Sequence, residues 1–208
     1  MIDRKEIKSI AKQKLKGKAL KIGVPYVIAT ALLNAIYLFI FGVDPELTRA
    51  SLIGQIILTV TSSLVGFGAI TGALRASEGK EIPRWIDCMT WDLDKFAKYM
   101  IFTLFYVFAV NVGLFILVIP GILISLIFMF GQYLIVLKDY DVLEAFTGSK
   151  ELTKGRLKEL FVLNLSFLGW AILSSVTFGI ANIFVRPYMD VVFIEYIKRL
   201  ESCKWKMI

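Results

Sequence analysis

The chain has 208 residues, 57% of them apolar, and a mean hydropathy of +0.71, values that exclude an ordinary soluble domain and place it in a membrane. Its formal charge of +7 does not point to nucleic acid, because all but two of the 24 Lys and Arg residues fall in alternate gaps between long apolar runs. Such a partition orients a multi-pass protein with its basic gaps in the cytoplasm, where anionic headgroups are the nearest partner.

The N-terminal segment opens on Asp3-Arg4-Lys5-Glu6, a carboxylate at a helix cap with a Glu three residues on, which is the pattern of a capping box. It predicts an interfacial helix over about 3–16, with Ile7, Ile10, Ala11 and Leu15 facing lipid and Lys14 snorkelling. Gly17 then serves as an elbow into the first span, about 22–43, which is too long for a signal-peptide core and lacks a small-x-small cleavage site after it. The short acidic loop Asp44-Pro45-Glu46 lies outside, and the second span follows at about 50–74, with Gly68-x-x-x-Gly72 offering a face for close helix contact.

A basic segment at about 80–97, carrying Trp85, Trp91 and Phe96, returns the chain to the cytoplasmic surface. The next uncharged run, Tyr99 to Leu137, has 39 residues and would make a helix of roughly 58 Å, about twice the hydrocarbon thickness. It therefore crosses twice, at about 99–118 and 120–137, reversing at Pro120-Gly121. Asp141 and Glu144 form a second capping-box pattern, and Val142, Ala145, Phe146, Ser149, Leu152 and Thr153 make one stripe of an interfacial helix over about 141–154, ending at the elbow Gly155. Without a gap, Asp3, Glu6, Lys12, Lys16 and Gly17 match Asp141, Glu144, Lys150, Lys154 and Gly155, as a duplicated unit would.

The last region admits two readings. One long helix ending at Arg186 would strand the tail residues Lys198, Arg199, Lys204 and Lys206 outside. A turn at Thr177-Phe178-Gly179 instead gives spans at about 160–178 and 180–197 and brings the tail back to the cytoplasm, in keeping with the positive-inside bias. The second reading makes the fold an all-α membrane protein of six transmembrane helices in three hairpins, with amphipathic interfacial helices on the cytoplasmic face and both termini inside.

From Ala145 onward the residues Ser149-Lys150-Glu151-Leu152, Lys154-Gly155, Leu165-Ser166-Phe167-Leu168-Gly169-Trp170, Thr177-Phe178-Gly179-Ile180 and Pro187-Tyr188, together with Pro120-Gly121-Ile122, form a pattern. It resembles a bacterial family of integral membrane proteins classed as domain-of-unknown-function family nine hundred seventy-five. The resemblance implies architecture and no activity. Arg186 departs from it, standing where an apolar residue is expected before the Pro-Tyr pair.

Chemistry is sparse. With no histidine and only Cys88 and Cys203, both in predicted cytoplasmic segments, the common zinc sites, a disulfide and Ser-His or Cys-His nucleophile pairs are not expected. No catalytic residue, metal site or cofactor is predicted. Asp92-Leu93-Asp94 and Asp139-Tyr140-Asp141 read as caps or solvated surface. The polar group that calls for a reason is Arg186 with Asp190, four residues apart on one helical face within the bilayer, and Glu195 nearer the cytoplasmic side. Asn34, Gln55, Asn111, Gln132 and Asn164 put an amide in each of the first five spans; converging, they would line a polar cavity against Arg186 and Asp190. Ser166, Gly169 and Trp170 suit helix packing, while Pro187 should kink its helix and free the carbonyl of Ile183. The composite expectation is a non-enzymatic protein of the cytoplasmic membrane, membrane-organising or accessory, whose interfacial helices touch anionic lipid or a protein partner. The alternative is a transporter or flippase-like protein for a lipid, amphipathic peptide or anionic solute, working through Arg186.

Overall fold

The computed structural model describes residues 4–41, 48–82, 92–177 and 179–205, and no β-strand occurs among them. In chain order the helices are α1 (Arg4–Lys14), α2 (Ala19–Phe41), α3 (Thr48–Ser77), α4 (Leu93–Ile116), α5 (Val118–Phe128), α6 (Gly131–Lys138), α7 (Val142–Thr153), α8 (Leu157–Leu165), α9 (Leu168–Val176) and α10 (Asn182–Trp205). Among the described residues, five stretches are helical, long and apolar enough to cross a membrane: Ala19–Phe39, Ile56–Ser77, Leu93–Ile116, Val118–Lys138 and Leu157–Val176.

α10 is long enough to be a sixth but is not apolar enough, since Arg186, Asp190, Glu195, Lys198, Arg199 and Glu201 interrupt it. Its surroundings explain how it tolerates them. Val191, Val192, Ile194 and Ile197 are fully buried, and α10 packs on α1, α2 and α3 and meets the α6 region through Phe130 and Tyr133. α10 is thus an internal axis, and its charges meet protein groups in place of lipid. Around it, buried stretches include Val65 to Ala76 in α3, Tyr99 to Thr103 in α4, Tyr133 to Val136 in α6 and Leu160 to Leu163 in α8, with Ile22 in α2 and Ala145, Ser149 and Thr153 in α7. The rest of the apolar surface points outward, above all the α4–α5 tip, where Phe108 and Phe115 are 68% and 94% exposed. Such bare rings suit hydrocarbon and not water.

The α4–α5 reversal is centred on Leu117, whose extended backbone (φ −158°, ψ 143°) joins the two helices, and not on Pro120-Gly121. Pro120 lies in the first turn of α5, where a missing amide proton costs nothing. Gly121 serves the crossing: a Cβ on it would lie 2.7 Å from the Leu114 nitrogen, and one on Gly113 would lie 2.9 Å from the Gly121 Cα. The second span of this hairpin is itself broken between α5 and α6. Ser149 of α7 bridges the break, accepting from Phe130 N–H at 3.2 Å and donating to the Ile127 carbonyl at 2.7 Å, and Thr153 donates to the same carbonyl at 3.3 Å. A side chain from α7 thereby satisfies backbone groups that hydrocarbon could not.

Both predicted elbows adopt the left-handed conformation that favours glycine, Gly17 at φ +77° and Gly155 at φ +76°. A Cβ at Gly155 would meet no atom within 4 Å, so only its backbone is at issue. Gly155→Ala is expected to lower stability by about 1 kcal/mol and Gly155→Asn by less, readable as shifts in the thermal midpoint in mild detergent. Asp141 and Glu144 form a capping box at the start of α7. Its counterpart residue Asp3 lies outside the described residues, as do Asp44-Pro45-Glu46, Trp85, Cys88 and Trp91.

The expectation that α1 rests on lipid is corrected. Ile7, Ala11 and Leu15 are 1%, 0% and 5% exposed because they cover α10, and Lys14 does not snorkel but reaches Glu195 at 2.8 Å. A helix as polar as α10 has to be sheathed by protein, and α1 supplies both apolar cover and counter-charge. The paired carboxylates also have defined places. Asp92 caps α4, and Lys98 lies 2.8, 3.5 and 3.2 Å from Asp94, Asp139 and Asp141, tying the start of α4 to the α6–α7 turn. The Asp92 carboxyl is held below its ordinary value, chiefly by the hydrogen bond it accepts from the Lys95 backbone N–H.

Candidate functional site

The site is built on α10. Pro187 carries no amide proton, so the Ile183 carbonyl one turn earlier has no partner at its usual helical donor. That carbonyl is pressed against Gly23 of α2, where a Cβ would stand only 1.7 Å from the oxygen. The two backbones can approach this closely because residue 23 has no side chain.

One turn on, Arg186 Nε donates to Asp190 Oδ2 at 3.0 Å, and the Tyr133 hydroxyl of α6 donates to Asp190 Oδ1 at 2.8 Å. Both carboxylate oxygens are engaged, and Asp190 is 1% exposed. The Arg186 side chain is 31% exposed, with its guanidinium 5.4 Å from the centroid of the Tyr26 ring. The cluster is an ion pair closed on one side by a phenol and bounded on the other by an aromatic face. It holds charge in place and offers no free nucleophile. No group of three or more His, Cys, Asp or Glu side chains able to hold a metal occurs among the described residues.

Glu195 does not belong to this cluster. It lies nine residues beyond Arg186, about 13 Å along the helix, and pairs with Lys14 at 2.8 Å and Lys198 at 3.8 Å. Arg199 then grips Glu6 with both terminal nitrogens, NH1 at 2.8 Å from Oε2, and this hydrogen bonding holds the Glu6 carboxyl below its ordinary value. Glu6–Arg199 and Lys14–Glu195 clamp α1 along α10 with charges of alternating sign.

The predicted amides do not converge. Asn111 donates to the Val107 carbonyl of its own helix at 2.7 Å and is exposed, and Asn34 does the same with Thr30. Asn164 donates to Leu160 at 2.9 Å, and Gln132 reaches Thr103 of α4 at 3.0 Å. A carbonyl four residues back is always within an amide's reach, so the local bond wins over a distant cavity. Asn111 and Asn164 are therefore not part of the Arg186 site. The side chain of Gln55 lies outside the described residues.

Of the predicted packing residues, Gly68 is buried and Gly72 makes room for Ile22, 3.2 Å from where its Cβ would be. Gly169 and Trp170 are exposed, Gly169 having open space at its Cβ. The break between α8 and α9 at Ser166–Phe167 turns that face outward, and Phe167 takes the buried position against Tyr188 and Phe193. Pro187 is buried, Tyr188 is half-buried, and Gly179 (φ +85°) closes the α9–α10 turn, its N–H donating to Ser174 at 2.7 Å.

On the face of α10 away from Arg186 and Asp190 lies a cavity of about 820 Å³ between α1, α9 and α10. Ser9, Lys12, Gln13 and Lys16 of the α1 segment line one side, and Trp170, Phe184, Val185 and Tyr188 the other. Sequence reasoning missed this cavity and also Gly23, Tyr26 and Tyr133. Their residue types gave the only signal, a lone tyrosine or glycine in an apolar run, and that signal names no partner.

Neither the curated proteins nor the solved structures compared with the chain include a match. A family model described as "Protein of unknown function (DUF975)" matches residues 95–204, from the start of α4 to the end of α10. That stretch is more than half of the chain and includes the Arg186–Asp190–Tyr133 cluster, so the chain belongs to this family of unknown function.

Proposed function

We propose that the protein is a non-enzymatic, six-span component of the cytoplasmic membrane, with both termini inside, that organises membrane or assists a partner by presenting fixed positive charge to anionic headgroups. The observation that carries this reading is the clamp on α1. Glu6–Arg199 and Lys14–Glu195 tie the helix to α10, and Lys12 on it and Lys16 just beyond it remain exposed without a carboxylate partner among the described residues. Charge held rigidly at the headgroup level attracts anionic lipid at about 1 kcal/mol per basic residue. In this reading α10 is the sixth crossing, its charges sheathed by α1, α2, α3 and α6.

The runner-up, passage of a lipid, amphipathic peptide or anionic solute past Arg186, draws on the partial exposure of that side chain. It has less support, because both oxygens of Asp190 are already hydrogen-bonded and the amides do not line a path. Topology is tested by accessible reporters placed after Glu46 and after Ile208. They are expected on opposite sides of the membrane, and finding them on one side refutes the six-span arrangement.

A further inference from the structure

We propose that the cavity between α1, α9 and α10 is a binding site for one anionic phospholipid, its phosphate held by Lys12 and Lys16 and its acyl chain laid against Trp170, Phe184 and Val185. This rests on the membrane reading above and gives it a defined ligand and place.

Charge sets the headgroup. Lys12 of α1 and Lys16 of the turn after it both line the cavity, with Gln13 beside them as a further hydrogen-bond donor, while the Ser9 hydroxyl in the lining donates to the Glu6 carbonyl at 2.8 Å and is left able to accept. No described residue lining the cavity is acidic, so a cationic ligand finds no partner among them, whereas a phosphate meets two ammonium groups. The opposite wall sets the tail. Val185 and Leu15 are buried in its floor, and Trp170 and Phe184, at 46% and 56% exposed, form its edge. Trp170 also belongs to the outward apolar face of α9 with Ile172, Leu173 and Val176, so the cavity is continuous with surface suited to hydrocarbon. A small soluble anion would use the lysines and leave that wall wet; a phospholipid uses both.

Position agrees with this division. In the six-span reading Trp170 and Tyr188 stand midway along their spans, at acyl-chain depth, while Lys14, between Lys12 and Lys16 in sequence, pairs with Glu195 nearer the cytoplasmic end. The volume, about 820 Å³, lies within the roughly 300–1,000 Å³ of ordinary ligand pockets, so it encloses the headgroup end and the upper part of one chain while the rest stays in the bilayer. The α1 clamp holds the basic wall in place, so the site exists before lipid enters.

The test is native mass spectrometry of the full chain taken from mild detergent after exchange into equimolar phosphatidylglycerol and phosphatidylcholine. Wild type is expected to retain one phosphatidylglycerol in preference to phosphatidylcholine. Lys12→Gln/Lys16→Gln should weaken retention by about twenty-fivefold, about fivefold for each lysine, while Lys150→Gln/Lys154→Gln at the end of α7 leaves it unchanged. Equal loss in both pairs would leave diffuse headgroup attraction standing and overturn the cavity. No preference for phosphatidylglycerol in any form would overturn both. Should the cavity variant fold poorly, chain-brominated phosphatidylglycerol gives an independent reading. It should quench tryptophan fluorescence more than brominated phosphatidylcholine does, and Trp170→Phe should abolish the difference; a difference that persists in Trp170→Phe overturns the site.

Discussion

Arg186→Leu is expected to destabilise the protein by about 3–5 kcal/mol, the usual effect of removing one member of a buried pair, measured by the thermal or denaturant midpoint in mild detergent. The asymmetry of the pair decides which partner matters more. Asp190 is 1% exposed and depends on Arg186 for its counter-charge, with Tyr133 giving one neutral hydrogen bond. Arg186 is 31% exposed and can turn toward water or a lipid phosphate if Asp190 is lost. Asp190→Asn should therefore cost less than Arg186→Leu. The double variant Arg186→Leu/Asp190→Asn should regain most of the loss, because the uncompensated charge is gone and an amide still accepts from Tyr133. If the double variant is stable and the protein keeps its membrane phenotype, the pair is an internal staple. If it is stable and the phenotype is lost, the transport reading gains its missing support.

Gly23→Ala is the second large effect, expected at about 3 kcal/mol or more, at the upper end of what overpacking costs. A methyl placed 1.7 Å from the Ile183 carbonyl oxygen overlaps backbone, and no rotamer change can relieve it. Either α2 and α10 separate, or the whole first turn of α10 shifts and carries Arg186 with it. Gly169→Ala is the matched control, since its Cβ meets nothing within 4 Å and the residue lies inside α9. There the same substitution should be neutral or slightly stabilising, because alanine has the better helix propensity. Comparable losses at the two positions would contradict the close contact at Gly23.

The residues divide sharply in what they disclosed in advance. Gly17 and Gly155 could be read as elbows because their preference is a backbone property that needs no partner. The capping box at Asp141 and Glu144 is equally local. Arg186 and Asp190 share a face by helical periodicity alone. Tyr133 could not be anticipated, since its role depends on α6 passing beside α10, a pairing 57 residues apart. The burial of α1 was hidden for a related reason. Ile7, Ala11 and Leu15 form an apolar stripe that would look the same whether lipid or a helix covered it, and only the presence of a charged α10 decides between them. The amides misled in the opposite direction, because each had enough hydrogen-bonding capacity to suggest convergence, yet Asn34, Asn111 and Asn164 found a carbonyl in their own turn and Gln132 a hydroxyl on α4.

The central position of α10 bears on how the protein is made. Chains leave the ribosome from the N-terminus, so α1 through α9 are synthesised before the helix around which they pack. Until it arrives, Gly23 faces no carbonyl, Tyr133 has no carboxylate, and Glu6 and Lys14 lack the opposite charges that dock α1. The packing of the earlier helices must therefore wait for α10, so a nascent chain that stops short of it leaves them with an empty centre.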